Sequence, residues 1–188
     1  MSEINGIDYG PLAALIGKWY GERGMDIAPE RDGPDENPYC DELTFVPSGP
    51  AENAEEQALV SLRYHHVVRK KKNGQIFHEQ IGHWIYEPAT ALLMHSLSIP
   101  RGVTLLAGGV AEQQGQSWQF KARASADNQD FGIAQSPFML EKAQTKAFEI
   151  EMQLSDNELR YQQITSLFIY GKDFEHKDSS VLTRLIYA

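Results

Sequence analysis

From Phe148 to Leu154 the chain alternates strictly: Phe, Glu, Ile, Glu, Met, Gln, Leu. A period of two places Phe148, Ile150, Met152 and Leu154 on one face of a strand and the polar residues on the other, which marks a strand half buried and half wet. Ser155-Asp156-Asn157 interrupts the pattern as a turn, and Leu159–Tyr170 resumes it, so the two runs predict a hairpin. Ala58–Arg69 and Gln75–Glu87 predict a second hairpin across Asn73-Gly74, residues that accept the positive φ of a tight turn. Turns at Glu87-Pro88-Ala89-Thr90, Pro100-Arg101-Gly102 and Gln113-Gln114-Gly115-Gln116 set off Ala91–Ile99, Val103–Ala111 and Ser117–Ala124. Trp19–Ile27, Tyr39–Val46 and Val181–Tyr187 complete a set of about ten strands.

Turns recurring every 8–12 residues or so point to an all-β barrel or sandwich. Sequential hairpins favour the antiparallel up-and-down barrel, and closure removes the edges that ten strands would otherwise expose. About eight strands leave an interior just filled or holding one small ligand, so about ten predict a cavity. Tyr9–Gly17 predicts a short N-terminal helical turn, with Pro11 suited to its start and Gly17 to its end. Pro29–Pro38 and Pro47–Glu56 are acidic and Pro/Gly-rich and predict loops; Asp127–Gln144 predicts either a covering loop or a short helix. Strand signals continue on both sides of each, so the expectation is one domain over residues 1–188.

Composition narrows the function. With 188 residues, 41% of them hydrophobic and 23% charged, the chain has an ordinary globular make-up. Its net charge of -9 would be repelled by a nucleic-acid backbone. The one basic run, Arg69-Lys70-Lys71-Lys72, precedes Asn73-Gly74 and is expected at a solvated hairpin tip. A single cysteine, Cys40, makes no internal disulfide and suits a reducing compartment. The N-terminus shows no charged-then-apolar signal pattern, and no apolar stretch approaches the roughly 20 residues that span a bilayer. A cytoplasmic location is the expectation. No Gly-x-Ser-x-Gly, P-loop or dinucleotide fingerprint occurs, and the histidines lack zinc-enzyme spacing.

Four segments, in order, carry a family resemblance. They are Leu15-Ile16-Gly17-Lys18-Trp19-Tyr20-Gly21-Glu22, Tyr39-Cys40-Asp41-Glu42-Leu43-Thr44-Phe45, Phe77-His78-Glu79-Gln80-Ile81-Gly82-His83-Trp84, and His176 with Leu185 after it. Together they resemble the nitrobindins, fatty-acid-binding-protein-like barrels that bind haem b at one end and react with nitric oxide, some isomerising peroxynitrite to nitrate. The resemblance implies haem b as cofactor, His176 as iron ligand, and Phe77, His78, His95 and Thr165 around the pocket. If the protein is an enzyme, it implies a haem-dependent peroxynitrite isomerase.

Alternation constrains these residues further. His78 and His83 are five apart and face opposite sides of a strand, so they cannot both line a cavity; His65 and His66 oppose each other likewise. Glu79 should face away from His78. Trp19 is expected as a plug, and Gly21 and Gly24 as a site of strand bending. His176 lies in the charged run Lys172–Asp178, which places it either on the cavity or in a solvated loop. A haem-free carrier of a fatty acid or another apolar molecule is the alternative. Arg184 and Tyr187, three apart, do not face one pocket as a carboxylate clamp on the last strand would require.

Overall fold

In the computed structural model, which describes residues 2–185, alternation along the sequence becomes alternation between the inside and the outside of a barrel. The strands are β1 (Gly17–Glu30), β2 (Gly33–Pro47), β3 (Gln57–Lys70), β4 (Ile76–Glu87) and β5 (Leu92–Ile99). They continue with β6 (Val103–Gln114), β7 (Ser117–Ser125), β8 (Ala143–Ser155), β9 (Glu158–Ile169) and β10 (Lys172–Arg184). Each pairs antiparallel with the next, and β10 pairs back onto β1, which closes an up-and-down barrel of ten strands. Phe148, Ile150, Met152 and Leu154 all point inward and are buried.

One end is sealed. A 3-10 helix over Gly10–Leu15 lies across it and buries Leu12 and Leu15. Trp19 plugs the end from β1, donating its indole N–H to the Leu15 carbonyl at 2.8 Å. Arg184 sits 4.1 Å above the Trp19 ring and donates to the Ile16 and Ala14 carbonyls, satisfying acceptors left open at the helix end.

β1 changes register against β2 between Gly21 and Gly24. A Cβ on Gly24 would lie 2.0 Å from the Tyr39 ring, so only glycine lets that buried ring cross the strand. The bulge also shifts the inward parity of β1: Trp19 and Gly21 point in before it, Gly24 and Asp26 after it.

The structure corrects several boundaries. Pro29–Pro38 is not a loop: β1 and β2 stay paired out to Glu30 and Gly33, leaving a tight turn at the tip. Within Pro47–Glu56, Ala51–Asn53 pairs with β3. Asp127–Gln144 resolves into a strand, Ile133–Gln135, on β6, then a helix α1 (Pro137–Lys142) capped by the Ser136 hydroxyl, then the start of β8. The last strand starts at Lys172 rather than Val181, because hydrogen bonding to β9 carries the charged run into the sheet. Its expected end, Tyr187, lies outside the described residues. Among the described residues no helix is long and apolar enough to cross a membrane.

Candidate functional site

The barrel end opposite Trp19 opens into a cavity of about 400 Å³, within the usual range for small-molecule sites. Leu97, Ile99, Leu105, Phe148 and Leu167 make much of its wall apolar. A separate groove of about 570 Å³ runs between Thr44, Arg63, His83 and Ser98.

His176 lies on β10, not in a solvated loop, and faces the cavity. Thr165 is its register partner on β9 and lines the same cavity. Phe77 and His78 are sequence neighbours, yet both line it. The β3–β4 register skips here: Val68 pairs with His78 and Arg69 with Ile76, which leaves Phe77 as the extra residue of a bulge. Glu79 does face out, bonded to His65, and His83 is exposed. Lys70 and Arg101 also line the cavity.

His176 is not alone. Its Nε2 lies 2.5 Å from Asp26 Oδ1 and 3.7 Å from Asp178 Oδ2. Asp26 and Asp178 are register partners across β1 and β10, so two carboxylates stand opposite each other inside the barrel. Asn37 donates to the second oxygen of Asp26 at 3.1 Å. Burial pulls the His176 imidazolium down. The hydrogen bond to Asp26 and the Asp178 and Asp26 charges outweigh it and hold its pKa above the ordinary value. Asp178 is pushed up to about 6 by burial, with the Asp26 charge adding to it.

A buried polar layer lies deeper in the barrel. Asp41 accepts from His66 and from Tyr161 at 3.0 Å each, and from Ser180 at 2.8 Å, while Tyr161 shares a 2.6 Å hydrogen bond with Tyr39. Burial raises the Tyr161 phenol well above its usual pKa, so it remains a donor to the carboxylate. Behind this layer is a chamber of about 20 Å³, room for one water. Gln80 and Gln163 line both spaces.

His95 belongs to that inner chamber and not to the open cavity. It is fully buried, stacked on Trp84 at 4.3 Å, with Nε2 2.9 Å from the Tyr64 hydroxyl. Its Nδ1 has no partner among the described residues.

Burial depresses His95 to about 3 and His78 to about 4, so both are neutral at pH 7. The unfolded chain takes up protons on these histidines below about pH 6.5, and the folded barrel does not until near the lower values. Their contribution is therefore complete above pH 6.5 and is lost as pH falls towards 4. Each unit of depression is worth about 1.4 kcal/mol at most. We expect the wild type to lose more of its urea midpoint between about pH 7.5 and 4.5 than His95→Phe does. Equal losses would show that His95 is not held neutral by the fold.

Asp26, Asp178 and Asp41 were not singled out in the sequence. Counting alternate residues from Trp19 turns Asp26 outward, because the bulge at Gly21–Gly24 reverses the parity. Asp178 shares inward parity with Leu182, but a strand taken to begin at Val181 stops short of it.

Fold and cavity together define a small-ligand-binding β-barrel. The chain belongs to the family described as THAP4-like, heme-binding beta-barrel domain, whose model matches residues 8–184. The solved structure of Rv2717c from M. tuberculosis is similar in fold, with a TM-score of 0.69 at 20% identity, covering 93% of this chain and 95% of that one. No curated protein sequence matches the chain.

Proposed function

We propose that the mouth cavity binds haem b and that His176 would hold its iron. The observation that carries this reading is an imidazole backed by a carboxylate inside an apolar cavity. His176 meets Asp26 and Asp178 through Nε2, so carboxylates support its imidazole from one ring nitrogen. An imidazole whose other N–H donates to a carboxylate is oriented and made more basic, the usual support for a metal-bound histidine. Lys70 and Arg101 would offer cationic partners to the two carboxylates of haem. Phe77 and Thr165 line the same cavity and would contribute to holding it. His78, kept neutral by burial, can offer a hydrogen bond within the cavity. His95 would act only from the inner chamber.

When bound, the iron would supply a site for nitric oxide, or for isomerising peroxynitrite to nitrate. The chain's own part is to hold that iron through His176, exclude water with the apolar wall, and keep neutral imidazoles nearby.

The apolar wall also supports a haem-free carrier. The last-strand clamp for a fatty-acid carboxylate is missing, because Arg184 is engaged at the sealed end with Ile16 and Ala14; Lys70 and Arg101 are the cations that line the cavity. Titrating the purified protein with ferric haem, then with nitric oxide, tests the reading. The expected result is a saturable Soret band at one haem per chain that shifts with nitric oxide. No specific band moves the function to an apolar ligand.

A further inference from the structure

Asp26, His176 and Asp178 each offer one donor atom, and these atoms all lie within 4.8 Å of one another. We propose that, without haem, this triad binds one divalent first-row transition ion, such as Zn²⁺, Mn²⁺ or Fe²⁺, with its remaining positions open to the cavity.

The case starts from an electrostatic misfit. Like charges directly opposite on paired strands repel, and Asp26 and Asp178 are such a pair, both turned inward. Among the described residues neither forms an ion pair with Lys70 or Arg101, although both cations line the same cavity. His176 is the shared partner, and even its imidazolium offsets only one of the two carboxylate charges. A divalent ion at their centre would neutralise both.

The geometry is close to what such an ion needs. Nitrogen and oxygen ligands at about 2.0–2.2 Å from a metal stand about 3–3.5 Å apart. His176 Nε2 and Asp178 Oδ2 are 3.7 Å apart, and Asp26 Oδ1 is 2.5 Å from the same nitrogen. With all three donor atoms within 4.8 Å of one another, side-chain adjustments alone would seat an ion among them. Asn37 already fixes the other oxygen of Asp26, the support that orients a ligating carboxylate.

Donor chemistry sets the ion class. One imidazole with two carboxylates suits Zn²⁺, Mn²⁺ or Fe²⁺, whereas Ca²⁺ and Mg²⁺ favour all-oxygen sets. Three protein ligands leave room for water or a small ligand, the form of an open rather than a structural site.

This site does not rest on the haem reading. It takes both carboxylates as ligands, whereas the haem reading uses them only to support the histidine. The test is Co²⁺ titration of haem-free protein, followed by visible absorbance and by Zn²⁺ displacement. We expect one Co²⁺ per chain with a d–d band that Zn²⁺ removes. Asp178→Asn and Asp26→Asn should each weaken Co²⁺ at least about tenfold. Circular dichroism checks that each variant keeps its β signal, and either variant alone suffices. No saturable Co²⁺ binding, or equal binding by the folded variants and the wild type, overturns the site. A protein that takes up haem normally but no Co²⁺ loses this inference and keeps the haem reading; Co²⁺ binding without a Soret band does the reverse.

Discussion

We expect His176→Ala to abolish the Soret band on haem titration while the barrel stays folded. His176 lies at the open end, its side chain 27% exposed, and the sealed end and the hydrophobic core do not depend on it. Its removal takes away the one cavity imidazole that a carboxylate supports; His78 bonds only to the neutral Gln80 amide. Asp26→Asn gives a graded result, because it leaves the nitrogen but weakens the group behind it. The expected loss in haem affinity is about 10–100-fold. A Soret band of normal intensity in His176→Ala would move the ligand assignment elsewhere in the cavity. An unchanged affinity in Asp26→Asn would show that His176 is held by something other than that carboxylate.

Trp19→Ala carries the largest expected loss of stability. The indole is 1% exposed, fills the sealed end, donates to Leu15 and lies beneath the Arg184 guanidinium. Truncating a buried tryptophan costs about 3–5 kcal/mol, because the wall around it closes only in part. For a chain of this size that is a fall in melting temperature of roughly 6–20 °C. The cavity lies at the far end of the barrel, so haem or Co²⁺ stoichiometry in the folded variant should be unchanged. A fall in melting temperature of only a degree or two would mean that the 3-10 helix, not the indole, holds the end shut. Loss of ligand binding in a folded Trp19→Ala protein would mean that the two ends are coupled.

The strands themselves were legible. Phe148–Leu154 alternates so regularly that its inner face needed no structure, and Asn73-Gly74 located a hairpin directly. Boundaries failed where local composition opposed pairing. Pro29–Pro38 and Lys172–Asp178 are polar enough to resemble loops, but neighbouring strands hydrogen-bond them into the sheet. His176, His78, Phe77 and Thr165 were named from a resemblance and do share one cavity. His95 was named on the same ground and lies behind the Gln80–Gln163 boundary.

By itself the sequence determined the class: about ten strands joined by short turns, closed on themselves, with too many strands for a filled interior. It could do so because strand pattern and turn chemistry are local. Only the tertiary structure decided what faces the cavity. Two bulges, at Gly21–Gly24 and at Phe77, reverse the in–out count, and strand pairing over a separation of about 150 residues sets Asp26 against His176 and Asp178. Parity changes and long-range register are properties of the closed sheet, so the carboxylates that define the site became visible only there.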